Sequence, residues 1–203
     1  MVAALCGGIC QGGMAVTLYG CQDGKAQSLS VPLLAWSVRQ EWGLSELPGL
    51  SRGRYGKPFF PALPHCHFNI SHSGGLVLCA LDSEPVGVDV ECVRPHHPRL
   101  ADRICSAEEQ AWLAGQEDRE QALSVLWTMK ESRVKYTGSG LTVPIRQIRV
   151  PLPPPRSHYA VVDGLIFRML EGNGWAACVC GHSSCGPIRW VSAQQLASPE
   201  KNM

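Results

Sequence analysis

The order of elements in this 203-residue chain predicts an α+β fold built as two small subdomains. Strand-like apolar runs punctuated by turn residues lie on both sides of a helix-rich middle. Each half, divided near Glu91–Pro98, holds a helix and about three strands, with no visible repetition between halves. The length is enough for a real core, in one domain or two. The expected boundaries are residues 1–91 for the N-terminal subdomain and 92–203 for the C-terminal one.

Taken in order, the first twenty-five residues read as strand-like pieces broken by glycine pairs, ending at the turn signal Asp23–Gly24. Ser30 is placed to cap a helix with Pro32 in its first turn, running through LLAWSVRQEWGL and stopping at Gly43. A loop rich in Gly and Pro follows from Ser51 to Pro64. Three strands come next: His67–Ile70, Gly75–Leu81 and Val86–Glu91, the last two read as a hairpin across the turn Asp82–Pro85. Ser106 with Glu109 three residues on is a capping-box signature for a short helix. A longer helix spans about Asp118 to Thr137, with Leu123, Leu126, Trp127 and Val134 at helical spacing and Gly138 as its stop. The proline-rich stretch Pro151–His158 is a stiff connector, and LIFRML, GWAACVC and RWV read as later strands, the last leading into a short helix.

Charge excludes some classes of function. With 18 Lys and Arg against 17 Asp and Glu, the net charge of +1 gives no bulk attraction to nucleic acid or to an anionic membrane. No apolar stretch is long enough to span a bilayer, and the small apolar start lacks the positive region of a signal peptide. The 10 cysteines are scattered, several within apolar strands, and read as reduced buried thiols. The cluster CVCGHSSC, with His182, is tighter than structural zinc patterns and starts on a buried strand, so we read it as core.

Two strings point to chemistry. In GVDVE (Gly87–Glu91) the strand period puts Asp89 and Glu91 on one face. In WTMKESRVK (Trp127–Lys135) the helix period stacks Glu131 one turn before Lys135. A hard divalent cation such as Mg²⁺ takes a few carboxylate oxygens and completes its shell with water and phosphate. Lysine supplies compact positive charge for a phosphate leaving group. Spacing alone also admits a plainer account, a solvated strand-end pair and an ordinary helix ion pair. Trp127, a turn before Glu131, reads as packing.

The strings YGKPFF (Tyr55–Phe60), FNISHS (Phe68–Ser73), GVDVE, WTMKESRVK and GSGL (Gly138–Leu141) stand in an order and spacing that resembles the Sfp-type 4'-phosphopantetheinyl transferases. The resemblance implies a pseudo-dimer of two similar α+β subdomains with the active site in the cleft between them. It implies transfer of the 4'-phosphopantetheine arm of coenzyme A to a serine of an apo acyl or peptidyl carrier protein, releasing adenosine 3',5'-bisphosphate. Asp89, Glu91 and Glu131 match the family's Mg²⁺ carboxylates. Lys57, Ser71, His72, Lys130 and Lys135 match or neighbour positions that contact coenzyme A. The general base is either Glu131 or Glu109; Glu109 is equally explained as the capping partner of Ser106. Coenzyme A would bind the first half and the carrier protein would dock on the second, in a monomer of the cytoplasm. Gln27, where relatives carry an arginine, and Ser139, where a basic residue is common, depart from the pattern. With the short segment before the first helix, they keep a second reading open: a coenzyme A- or carrier-protein-binding module with impaired catalysis.

Overall fold

Alternating apolar residues drive two four-stranded sheets to stack face to face. The computed structural model describes residues 15–23, 26–95, 99–154 and 157–197. The strand-like pieces expected before Ala15 and the turn at Gly24 lie outside these residues. In chain order the elements are β1 (Ala15–Gln22), α1 (Ala26–Trp42), β2 (Ser51–Arg52), β3 (Pro58–Phe59), β4 (His67–Ser73), β5 (Leu76–Asp82) and β6 (Val86–Cys92). Then come α2 (Leu100–Ile104), α3 (Ala107–Ala114), α4 (Arg119–Thr137), a 3₁₀ turn (Ile145–Gln147), β7 (Tyr159–Val162), β8 (Leu165–Gly172), β9 (Trp175–Gly181), β10 (Ser184–Trp190) and α5 (Ala193–Ala197).

The first sheet has the order β10-β1-β5-β4 and the second β6-β9-β8-β7. Within them only β1 and β10 pair in parallel. α1 covers the outer face of the first sheet, where Leu33, Leu34 and Val38 meet Phe68, Val77 and Cys79. Val16, Leu18 and Leu78 meet Val88, Val90 and Val179 between the sheets. α4 covers the second sheet through Val125 and Met129 against Phe167 and Cys178. Burying a side chain such as Leu78 completely contributes about 2 kcal/mol, so this inner layer is the main cohesive element between the halves. The fold is therefore α+β, two small sheets each covered by a helix.

Three sequence expectations are corrected. β5 and β6 do not form a hairpin: β5 pairs with β4, and β6 pairs with β9 in the other sheet. The turn between them bends on Asp82, whose carboxylate accepts from the amides of Ser83 and Glu84, and delivers the chain to the second sheet. The division after Glu91 does not follow the sheets either. β6, expected in the first half, lies in the second sheet, and β10, expected in the second half, lies in the first. Lastly, Ser30 does not cap α1. It sits inside the helix with its Oγ buried and without a partner, and Pro32 lies in the second turn rather than the first.

Other local expectations hold. Ser106 and Glu109 form the reciprocal capping box at the start of α3. Gly138 ends α4 with φ 64°, a left-handed conformation that glycine adopts without strain.

Candidate active site at the junction of the two sheets

The junction is made by β4 and β6, each the edge strand of its own sheet. They are joined by side chains in place of a backbone ladder. The Val88 amide donates to Asn69 Oδ1 at 2.8 Å, the Val90 amide to Ser71 Oγ at 3.3 Å and the Cys92 amide to Ser73 Oγ at 3.1 Å. The constant offset of the three pairs means that the strands run in parallel. This ladder satisfies amides that an unpaired edge would leave bare. It also points Asn69, Ser71 and Ser73, alternate residues of β4, toward β6.

Val86, Val88 and Val90 fill the inter-sheet core, so Gly87, Asp89 and Glu91 face the other way, toward α4. Gly87 is the crossing point. A Cβ there would lie 2.0 Å from the Ser132 carbonyl oxygen and 2.4 Å from the Tyr136 amide nitrogen. Only a residue without a side chain lets the α4 backbone approach this closely, and the approach sets Asp89 and Glu91 beside Glu131 and Lys135.

Asp89 is buried, 3% exposed. Its Oδ1 accepts from Lys135 Nζ at 2.6 Å and Ser71 Oγ at 2.8 Å. Its Oδ2 is buried with no partner. Burial pushes the Asp89 carboxyl above the usual range, and Lys135 draws it part of the way back. Glu91 accepts from Ser73 Oγ at 2.9 Å on one oxygen and from Trp127 Nε1 at 3.3 Å on the other. Glu131 is also raised, first by burial and then by the negative charge of Asp89, with Glu91 adding to it and Lys135 opposing. The site thus concentrates acidic charge against one ammonium. Among the described residues, no three His, Cys, Asp or Glu side chains stand close enough together to form a metal centre by themselves. Lys135 occupies the position beside Asp89 Oδ1.

Several predicted site residues are placed differently. The Ser71 hydroxyl has one proton to donate and two lone pairs, and Asp89, Val90 and Lys135 use all three. Ser71 therefore orients Asp89 and has no capacity left for a phosphate. His72 is exposed on the opposite face of β4 from Ser71. Lys130 is fully buried and faces away: its ammonium bonds Glu109 Oε1 at 2.9 Å and the carbonyls of Ile145 and Ile148. With every donor used inside the protein, Lys130 cannot contact coenzyme A. Glu109 is buried as well, one oxygen on the Lys130 ammonium and the other on the Ser106 amide at 2.6 Å, which shuts it away from an incoming hydroxyl. Lys57 reaches across to the carbonyls of Val86 and Tyr136, both at 3.0 Å, and its stem packs on Gly138. It lines a cavity of about 300 Å³ with Phe59, Phe68 and Thr137, and burial lowers its pKa to about 8. Gln27 is exposed in the first turn of α1.

Sequence reasoning missed Asn69, Ser73 and the Trp127 contact. The polar alternation Asn69-Ser71-Ser73 along one face of the strand was the available signal. Of the CVCGHSSC cluster, Cys178 and Cys180 are buried on β9, while His182 bonds Tyr136 Oη at 2.9 Å.

The family model described as the 4'-phosphopantetheinyl transferase superfamily matches residues 85–180, the span from β6 through β9. The chain is 44% identical over 158 residues to the 4'-phosphopantetheinyl transferase Sfp of Bacillus subtilis strain 168, covering 72% of this chain and 69% of that protein. It is 38% identical over 138 residues to another Bacillus subtilis 4'-phosphopantetheinyl transferase, covering 66% of this chain and 61% of that relative. A third, the 4'-phosphopantetheinyl transferase gsp of Aneurinibacillus migulanus, is 38% identical over 96 residues, covering 46% of this chain and 40% of that protein. The chain thus spans between two fifths and about two thirds of these relatives' lengths. With the sequence match running through both acid-bearing elements, this chain belongs, alongside the Sfp-type proteins, to the 4'-phosphopantetheinyl transferase superfamily.

Proposed function

We propose that this protein transfers the 4'-phosphopantetheine arm of coenzyme A to a serine hydroxyl of an apo acyl or peptidyl carrier protein, releasing adenosine 3',5'-bisphosphate. The observation that carries the reading is the convergence of Asp89 and Glu91 from β6 with Glu131 and Lys135 from α4, around a buried carboxylate oxygen that lacks any protein partner.

The donor set fits Mg²⁺. All three acids offer hard oxygens, and the orphaned Asp89 Oδ2 is the feature expected where a ligand completes the shell. Asp89, Glu91 and Glu131 would hold the ion, which when bound supplies positive charge to the pyrophosphate and its departing phosphate. Lys135 keeps one of its three donors beyond Asp89 and Ser71, and that donor is assigned to a phosphate oxygen. Glu131 removes the hydroxyl proton of the acceptor serine as its oxygen bonds to phosphorus and the bond to the adenosine-side phosphate breaks. Its raised affinity for protons suits that role, and Glu109, locked to Lys130, does not compete for it. His72 and Lys57 are assigned to coenzyme A on the first sheet's side, and the second half to carrier-protein docking. Both acid-bearing elements come from one chain, which supports action as a monomer. Free buried thiols such as Cys79 and Cys178 support a cytoplasmic setting.

The test is incubation with apo carrier protein, coenzyme A and Mg²⁺, read by intact mass of the carrier. The expected result is a mass gain of one phosphopantetheine, abolished by Asp89→Ala or Glu131→Ala in folded protein. Coenzyme A binding without any mass gain would identify a binding module instead, and near-normal rates in either variant would remove the metal assignment.

A further inference from the structure

We propose that Ser73 and Trp127 are positioning residues that hold the two oxygens of Glu91 in the orientation a divalent cation requires. The inference rests on the proposed metal role of Glu91.

A seryl hydroxyl has one proton and two lone pairs to share. Ser73 Oγ is 3.1 Å from the Cys92 amide nitrogen and 2.9 Å from Glu91 Oε2. An amide N–H can only donate, so it occupies a lone pair of the hydroxyl. The single hydroxyl proton then goes to the carboxylate, since a carboxylate can only accept. The direction of this hydrogen bond is therefore set by the backbone, with no alternative arrangement open to it. Ser71 repeats the device two residues earlier: the Val90 amide takes one lone pair, Lys135 the other, and the proton goes to Asp89. Two seryl clamps at the strand period thus serve two acids at the same period on the neighbouring strand.

Glu91 needs more restraint than Asp89. It is longer by one torsion and only half-buried at the open end of β6. Ser73 fixes one of its oxygens, and Trp127, from α4, contacts the other through its indole N–H at 3.3 Å. The indole is a donor only, so its contact cannot reverse. Held from both elements, Glu91 keeps one lone pair on each oxygen beyond these two contacts. Its rotamer freedom is lost when the protein folds, before any cation arrives. Outer partners of this kind set ligand geometry in metal sites and commonly control affinity by about 10–100-fold.

The test measures Mg²⁺ binding by calorimetry on protein saturated with coenzyme A, without carrier protein, so that turnover plays no part. Ser73→Ala is expected to weaken Mg²⁺ binding about tenfold, and Trp127→Phe to weaken it in the same direction. Ser73→Thr, which keeps the hydroxyl, is expected to stay near the wild-type affinity. Coenzyme A affinity measured without Mg²⁺ should be unchanged in these variants, and the melting temperature should fall only in Ser73→Ala, where the Cys92 amide loses its acceptor. Wild-type Mg²⁺ affinity in Ser73→Ala and Trp127→Phe overturns the inference, as does an equal loss of coenzyme A binding with a lowered melting temperature. Asp89→Ala separates the two levels. If it loses Mg²⁺ while Ser73→Ala and Trp127→Phe do not, only the clamp fails; if the wild type binds no Mg²⁺, the metal reading fails with it.

Discussion

Lys135 Nζ lies 2.6 Å from Asp89 Oδ1, while the other oxygen of the same carboxylate is buried and bare. Half of the acid is neutralised and half is stored in an unfavourable state. Because burial raises the Asp89 pKa, the folded protein binds that proton more tightly than the unfolded chain, so its ionisation weakens the fold as pH rises through the folded value. Asp89→Asn keeps an acceptor for Ser71 and removes the charge. It is expected to raise the melting temperature at pH 7.5 by about 3 °C, while transfer falls by about a hundredfold or more. A lowered melting temperature in thermal unfolding would contradict this.

Gly87→Ala tests the crossing of β6 and α4. The added methyl meets backbone atoms of Ser132 and Tyr136, which cannot swing aside as a side chain could. The helix must shift, at a cost of about 3 kcal/mol or more. Denaturant unfolding should show that loss, and residual transfer at low temperature should fall with it, because the shift also separates Glu131 from Asp89.

Glu109 and Lys130 distinguish a base from a structural ion pair. Glu109→Gln leaves a buried ammonium without its counter-charge, and the expected destabilisation is about 3–5 kcal/mol. Adding Lys130→Met should recover a large part of it. In both variants, transfer measured well below the melting temperature should stay within about tenfold of wild type, whereas loss of a true general base costs about 10²–10⁴-fold. A large fall in rate without a change in stability would return Glu109 to the chemistry.

Lys57 gives a pH signature. Its folded pKa of about 8 lies below the free-lysine value of 10.5. Between these values the unfolded chain binds the extra proton, so this group adds stability as pH rises and loses it as pH falls through 8. The melting temperature of wild type relative to Lys57→Met should therefore increase from pH 7.5 to 9.5. A constant difference would show that the two carbonyls holding the ammonium offset its burial.

How much of this was legible in the sequence depends on whether a feature is local. The capping box at Ser106, the stop at Gly138 and the α4 boundaries are written in adjacent residues, and they read correctly. So did the shared face of Asp89 and Glu91, which follows from the strand period. Which strand pairs with which did not, because Asp82–Pro85 looks like a hairpin turn and only the side chains of β4 show that β6 has another neighbour. The roles of Lys130 and Glu109 failed for a related reason. Both lie on helices at plausible positions, but the partner of each is set by long-range packing, and burial turned an expected coenzyme A contact and a candidate base into one internal ion pair. Trp127 was read as packing, and its indole nitrogen proved to be aimed at Glu91.

The crossing of strands between the sheets limits how this protein can be cut and recombined. β6 leaves the first half to complete the second sheet, and β10 returns to complete the first, where Arg168 of β8 also grips the carbonyls of Cys185 and Gly186. A chimera spliced to a relative at Glu91 would bring together a β6 and a β9 of different parentage, and likewise a β1 and a β10. Neither half is a removable module, and exchange between relatives succeeds only when each strand travels with the sheet it closes.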